Sequence, residues 1–320
     1  MGASIWPCRG RATEVSGPRA RLGVRSGVAA LAIALGATAL ALAVAGCGRA
    51  TTPATRTATA LPDSVAAPAG YSIPADSLIP GGPLGASVRR GRAILLATRD
   101  SLPDHVGNKL ACTSCHLDAG TRASSGPWVG SFASFPQYNA RAGRVIRIED
   151  RVNECLRRSL AGAPLPENDR NMTDVVAYLA FLSRGVPSGT HSAWLGYRRL
   201  KPRVPDAAVG ESVFTAMCVR CHGASGEGTV AAPPLWGPQS FAIGAGMARI
   251  PVAAAFIRWN MPQDQAGTLS DQQAYDVAAF VLAHPRPDTP GKERDWPNGD
   301  PPGDAAYSTL AGRKPAAPRR

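Results

Sequence analysis

The sequence predicts a mainly α chain built from two small tandem modules, and three observations carry that reading. Two Cys-x-x-Cys-His runs occur, Cys112-Thr-Ser-Cys115-His116 and Cys218-Val-Arg-Cys221-His222. The segment Asp174-Val-Val-Ala-Tyr-Leu-Ala-Phe-Leu182 is echoed by Asp276-Val-Ala-Ala-Phe-Val-Leu-Ala-His284, each with helical periodicity and an aromatic on its apolar stripe. Cys155 follows His116 by 39 residues, the offset by which Met261 follows His222.

A Cys-x-x-Cys pair alone also fits a zinc half-site or a redox dithiol. His directly after the second Cys, twice in one chain, points instead to two covalently attached c-type haems: the cysteines add across the porphyrin vinyl groups and the histidine ligates iron from the proximal side. The chemistry is then redox, and the modules read as two cytochrome c domains. Their opening helices are expected at Val88–Thr98 and Val209–Met217, with the 174–182 and 276–284 segments closing them and roughly a dozen extra residues, Arg99–Ala111, in the first. Four of the seven cysteines belong to the haem motifs, Cys8 and Cys47 lie near the N-terminus, and Cys155 is left over. At the repeat offset, Cys155 and Met261 are the sixth-ligand candidates, a thiolate in the first module and a thioether in the second. Met172 and Met247 are the weaker alternatives; Met217, just before Cys218, reads as lying on the wrong side. His105, His191 and His284 have no partners at metal spacing and read as structural or solvent-facing. The aromatic set Trp128, Phe132, Phe135 and Tyr138 reads as lining a haem edge or the core.

The N-terminus carries Arg9, Arg11, Arg19, Arg21 and Arg25, then an uncharged apolar stretch over Val28–Ala45, an export signal. Val44-Ala45-Gly46-Cys47 has the small-residue pattern of a bacterial lipoprotein site, so residues 1–46 are expected to be a signal peptide cleaved before a lipidated Cys47; ordinary cleavage and an uncleaved anchor are the alternatives. Each places the haem modules outside the cytoplasm, in the periplasm or cell envelope. Residues 47–83, rich in Thr, Ala and Pro, read as a disordered tether. Residues 84–200 form the first cytochrome c domain and 201–287 the second; 288–320 are a Pro-rich tail that either wraps over the second module or hangs free.

The formal net charge is +12, which raises nucleic-acid binding, but no such motif is present and the compartment is wrong. The informative charge is local: Arg141, Arg144, Arg147, Arg151, Arg157 and Arg158 crowd one segment, a cluster that attracts small anions or, on the plainer reading, a solvated face paired with Glu149, Asp150 and Glu154. If Ile148–Leu160 is helical, Arg151, Cys155 and Ser159 share one face beside an apolar stripe of Val152, Leu156 and Leu160. Nearby guanidinium groups favour the thiolate of Cys155.

Several segments carry a specific resemblance: Arg151-Val-Asn-Glu-Cys155-Leu-Arg-Arg-Ser159-Leu, Trp128-Val-Gly-Ser-Phe132, Phe135-Pro136-Gln-Tyr138 and Asn260-Met261-Pro262. Over roughly Leu84–Pro302 the chain resembles the dihaem thiosulfate dehydrogenases, also called tetrathionate synthases. The resemblance implies an active-site haem ligated by His116 and Cys155, with Arg141, Arg151 and Ser159 binding the anionic substrate. The family's second haem takes His with Met or Lys; Asn260 stands where some members have Lys, so His222 and Met261 are expected. It further implies oxidation of two thiosulfates to tetrathionate, which run backwards is tetrathionate reduction, with electrons passed to a soluble or membrane-bound cytochrome. Two readings compete: a non-enzymatic dihaem electron carrier or cytochrome subunit of a larger oxidoreductase, with the arginines as a docking face, and a sulfur-compound enzyme that acts on a protein-bound thiol.

Overall fold

The computed structural model describes residues 72–190 and 195–312. The signal peptide, Cys47, the tether as far as Tyr71, and His191 lie outside the described residues. Among the described residues no helix is long and apolar enough to cross a membrane.

In the first module α1 (Gly82–Leu96) starts ahead of the predicted Val88, because Pro83 sits in its first turn, where a missing N–H leaves nothing unsatisfied. The expected insertion holds a short α2 (Thr98–Ser101), and α3 (Leu117–Gly120) is a single turn directly after His116. Strands β1 (Gln137–Asn139) and β2 (Arg144–Ile146) pair antiparallel, Gln137 opposite Ile146, a ribbon that helical periodicity did not announce. Helix α4 (Ile148–Arg158) has Glu149 and Asp150 in its first turn and Arg157 and Arg158 in its last, the charge order that suits the helix dipole. It stops short of Leu160, and Ala161 follows with φ +49°. Helix α5 (Arg170–Phe181) is capped by Asp169, which accepts from Asn171 N at 2.7 Å.

The second module repeats the plan. Asp206 caps α6 (Ala207–Met217), α7 (Val219–His222) carries the second haem motif, α8 (Ile250–Asn260) ends at Met261, and a Ser270–Gln273 capping box starts α9 (Asp271–Ala283).

The opening and closing helices of each module cross at a glycine. A Cβ on Gly91 of α1 would stand 1.9 Å from the Asp174 carbonyl oxygen of α5, and one on Gly210 of α6 would stand 2.1 Å from that of Asp276 on α9. Both aspartates are buried and both are satisfied, differently. Asp174 accepts from Arg90 Nε (2.7 Å), Arg90 Nη2 (2.8 Å) and Ser87 Oγ (2.5 Å), whereas Asp276 accepts from the backbone N–H of Asp206 and from Gln272 Nε2, each at 2.8 Å.

The modules share an interface. Asn108, 1% exposed, donates to the carbonyls of Ser159 in the first module and Ser240 in the second, both at 2.9 Å. The core of the first module continues into Phe241, Ala245 and Ala248 of the second. The segment after α9 does not stop at the second module: residues 295–298 lie against the first, where Asp295 pairs with Arg158 and Asn298 donates to Tyr138.

Alanine is the better helix former by roughly 1 kcal/mol, so the sign of Gly91→Ala tests the crossing. A backbone carbonyl cannot step aside as a flexible side chain can, and the expected result for Gly91→Ala or Gly210→Ala is net destabilisation of about 1–3 kcal/mol, read as a lower midpoint in guanidinium chloride unfolding.

Candidate functional site

The first site is a cavity lined by Cys112, Cys115 and His116 and by Val152, Cys155, Leu156 and Ser159 of the α4 segment. His116 is aimed by its surroundings. Its Nδ1 shares a 2.5 Å hydrogen bond with the Gly126 carbonyl, which makes Nδ1 the donor and leaves Nε2 free. Gly126 has φ +63°, and a Cβ there would stand 3.2 Å from the imidazole, so glycine is required on both counts. Burial pushes the His116 pKa down to about 4, opposed by the Gly126 hydrogen bond and assisted by the Arg151 charge. The ring is therefore neutral near pH 7, the form that ligates a metal.

Of the predicted face at Arg151, Cys155 and Ser159, the last two line the cavity, and Arg151 is exposed beside them. Arg151 Nη1 donates to Cys155 Sγ at 3.1 Å, and the Cys155 sulfur is the largest cause raising the Arg151 pKa above its ordinary value. Ser159 lines the same cavity. Arg141, in the turn between β1 and β2, reaches into the second module, where Nη1 donates to the Gly244 carbonyl at 2.8 Å. Its guanidinium lies 4.9 Å from the Trp296 ring centroid. Burial lowers the Arg141 pKa, Tyr307 and Asp295 oppose that effect and the charges of Arg158 and Arg151 add to it, so the three cations are neighbours.

The rest of the arginine cluster is mostly neutralised. Arg144 pairs with Asp150 at 2.9 Å and Arg147 with Glu167 at 2.5 Å. Arg158 forms a fork on Asp295, both contacts at 2.6 Å, with side chains 16% and 7% exposed. Tyr307 donates to the same carboxylate at 2.5 Å, and burial together with Asp295 pushes its hydroxyl up to about 12, so it stays a donor. Arg157 is exposed. Sequence reasoning missed Asp295, Trp296 and Tyr307, whose Pro-rich surroundings carry no periodic signal.

The second cavity is lined by Cys218, Cys221 and His222 and by Met217, Met247 and Met261. His222 Nδ1 bonds the Pro233 carbonyl at 2.8 Å, and burial lowers the ring's pKa. Asn260, 1% exposed, donates to the Phe256 carbonyl and across the interface to the Ser124 carbonyl, at 3.0 and 2.9 Å. Leu110, Ala111 and Cys115 line both cavities, so a single wall separates them.

Other expectations resolve plainly. Met172 is 1% exposed in the α5 core. His105 bonds the Ala163 carbonyl and His284 stacks on Trp236. Of the aromatic set Trp128 lines the first cavity, and Phe135 packs on the core. Phe132 and Tyr138 are exposed and line neither cavity.

Two apolar cavities, each with paired thiols and a neutral histidine aimed by a backbone carbonyl, fit two covalently held haems and define a dihaem c-type cytochrome. Comparison with known proteins agrees. Residues 104–188 match the SoxA/TsdA cytochrome c domain, and residues 205–281 match the cytochrome c oxidase, cbb3-type, subunit III family. A thiosulfate dehydrogenase of Allochromatium vinosum is 47% identical over 68% of this chain and 84% of its own. One from Psychrobacter arcticus is 41% identical over 80% of this chain and 78% of its own. The solved structure of thiosulfate dehydrogenase (TsdBA) from Marichromatium purpuratum superposes with a TM-score of 0.66 at 36% identity, covering 69% of this chain and half of that one. The chain belongs to the thiosulfate dehydrogenase family. It carries two covalently bound haem c groups, one in each cytochrome domain.

Breaking the Arg158–Asp295 fork leaves one buried charge unpaired. Arg158→Ala is expected to cost about 3–5 kcal/mol of stability, whereas Arg157→Ala on the exposed side stays within about 0.5 kcal/mol; thermal unfolding of the two haem-loaded variants compares them.

Proposed function

We propose that this protein is a thiosulfate dehydrogenase whose chemistry takes place at Cys155, and that it joins two thiosulfates into tetrathionate. The observation that carries this reading is the 3.1 Å contact between Arg151 and the sulfur of Cys155, a residue that lines the same cavity as Cys112, Cys115 and His116. A docking face for a carrier protein has no need of a cation set against a sulfur at a cavity edge. Haem attachment is assigned to Cys112 and Cys115 in the first domain and to Cys218 and Cys221 in the second. His116 with Cys155 and His222 with Met261 are the proposed iron ligands. Met261 is preferred to Met247 because it keeps the Cys155 offset and because Met247 also packs against the core clusters.

A haem held at each site would supply a one-electron acceptor, and the Cys155 thiolate would set a lower potential at the first than the Met261 thioether at the second, which would direct electrons from the first domain to the second. The Cys155 thiolate forms a sulfur–sulfur bond with the sulfane sulfur of the first thiosulfate, and two electrons leave. The second thiosulfate attacks that sulfane sulfur, breaks the bond to Cys155 and departs as tetrathionate, regenerating the thiolate. Arg151 and Arg141 offset the repulsion between the two dianions, and Ser159 supplies a hydroxyl on the same helix face. Electrons pass on to an external cytochrome. The export signal supports a periplasmic or envelope location, with lipidation at Cys47 as the proposed membrane anchor.

Cys155→Ala removes the atom that holds the sulfur intermediate, so turnover should vanish at any thiosulfate concentration. The thiolate-type ferric signal should also vanish from the electron paramagnetic resonance spectrum. Arg151→Ala keeps the nucleophile and loses one charge-assisted contact, about 2–4 kcal/mol or 30- to 1000-fold in rate, with a near wild-type visible spectrum. Steady-state cytochrome c reduction, with tetrathionate quantified, measures both; a fully loaded wild type that is inactive in both directions leaves the electron-carrier reading.

Met261→Gly should abolish the near-infrared sulfur-to-iron band and lower the second haem's potential. Loss of that band in Met247→Gly instead would reassign the ligand.

A further inference from the structure

The segment that follows α9 is fastened to the second module at both ends. Gly244 N donates to Thr289 Oγ1 at 2.9 Å, and Arg249 holds Asp304 in a fork at 2.8 and 2.5 Å. Between these anchors the chain crosses onto the arginine cluster of the first module. Asp295 takes the Arg158 fork. Trp296, 5% exposed, donates its backbone N–H to the Arg141 carbonyl at 2.9 Å while its indole faces the Arg141 guanidinium. Pro297 fills the space beside Gly143, where a Cβ would stand 2.4 Å from its Cγ. Trp296 holds φ +51°, an uncommon conformation for a large side chain, kept here by these surroundings.

The two arginines receive opposite treatment. Arg158 is given a carboxylate and its charge is spent. Arg141, which forms no ion pair among the described residues, is given a carbonyl and an aromatic face, which orient a cation without neutralising it. A poorly solvated guanidinium left with its charge intact is a binding group for an anion.

We infer that the 285–312 strap is part of the substrate site, with Trp296 as a positioning residue that presents Arg141 to thiosulfate and Asp295 as the group that withdraws Arg158 from anion binding. This rests on the assignment of Arg141 to the thiosulfate site. The strap begins beyond residue 281, where the second matched family region ends.

The test uses the full dihaem protein and steady-state thiosulfate oxidation. Trp296→Leu is expected to raise the KM for thiosulfate roughly tenfold while kcat stays within about twofold and the haem spectra are unchanged. Trp296→Phe, which keeps a ring of weaker quadrupole, should recover most of the affinity and show a rise of about threefold. A wild-type KM in Trp296→Leu alongside a raised KM in Arg141→Ala overturns the role of the strap and leaves the assignment of Arg141 standing. A wild-type KM in Arg141→Ala overturns that assignment and this inference with it. Should Trp296→Leu fail to retain its haems, Trp296→Phe decides: a raised KM supports the inference and an unchanged one overturns it.

Discussion

Each module is closed by one close approach, the seating of a helix glycine on the carbonyl of a buried aspartate. At Gly91 and at Gly210 there is no room for a Cβ. This brings the first and last helices together and leaves the intervening chain to wrap a cavity in place of a solid core. Small domains bury little apolar surface, so a cavity at the centre is tolerable only where a large apolar group completes the interior, and the haem is that group. The repeated aspartate then needs a donor. The first module uses an arginine fork and a serine, the second a backbone N–H and a glutamine. One geometric constraint has been met by two sets of side chains.

On that frame the first module arranges charge. A helix puts residues four apart on one face, which is why Arg151 meets the Cys155 sulfur. Six arginines close together would repel one another and attract anions without selection. Pairing Arg144, Arg147 and Arg158 with carboxylates removes three of them from that field. Arg151 keeps its contact with sulfur, with Glu154 no nearer than 3.9 Å, and Arg141 keeps an unneutralised charge. A basic patch becomes a site with a few directed cations, which suits a small dianion better than a polyanion.

What the sequence made legible was local. The haem motifs, the matched offsets of Cys155 and Met261, and the Arg151–Cys155–Ser159 face all lie within segments where spacing alone decides geometry. The partner of Arg158 is 137 residues away and that of Asn108 in the second module is 132 away; neither separation leaves a trace in periodicity. Phe132 and Tyr138, which the sequence places among haem-edge or core aromatics, are exposed instead, since an aromatic-rich run does not say which of its members turns inward. The Pro-rich tail reads as wrapping the second module or hanging free. Its composition hid Trp296, whose value lies in the single cation it faces.

The interface between the modules serves the redox chemistry directly. The oxidation proposed for Cys155 releases two electrons, whereas each haem takes one, so both sites must be engaged in every turnover and their spacing has to hold. Leu110, Ala111 and Cys115 form the wall common to both cavities, which keeps the path short. Asn260 ties the end of α8, next to Met261, to the Ser124 carbonyl, two residues from the Gly126 carbonyl that aims His116. A hinge opening between the modules would break the Asn108–Ser240 and Asn260–Ser124 hydrogen bonds together and exchange them for bonds to water, a net cost of about 0.5–1.5 kcal/mol for each. These contacts oppose such motion, and the proximal histidine of one domain and the proposed distal methionine of the other are held in one hydrogen-bonded frame.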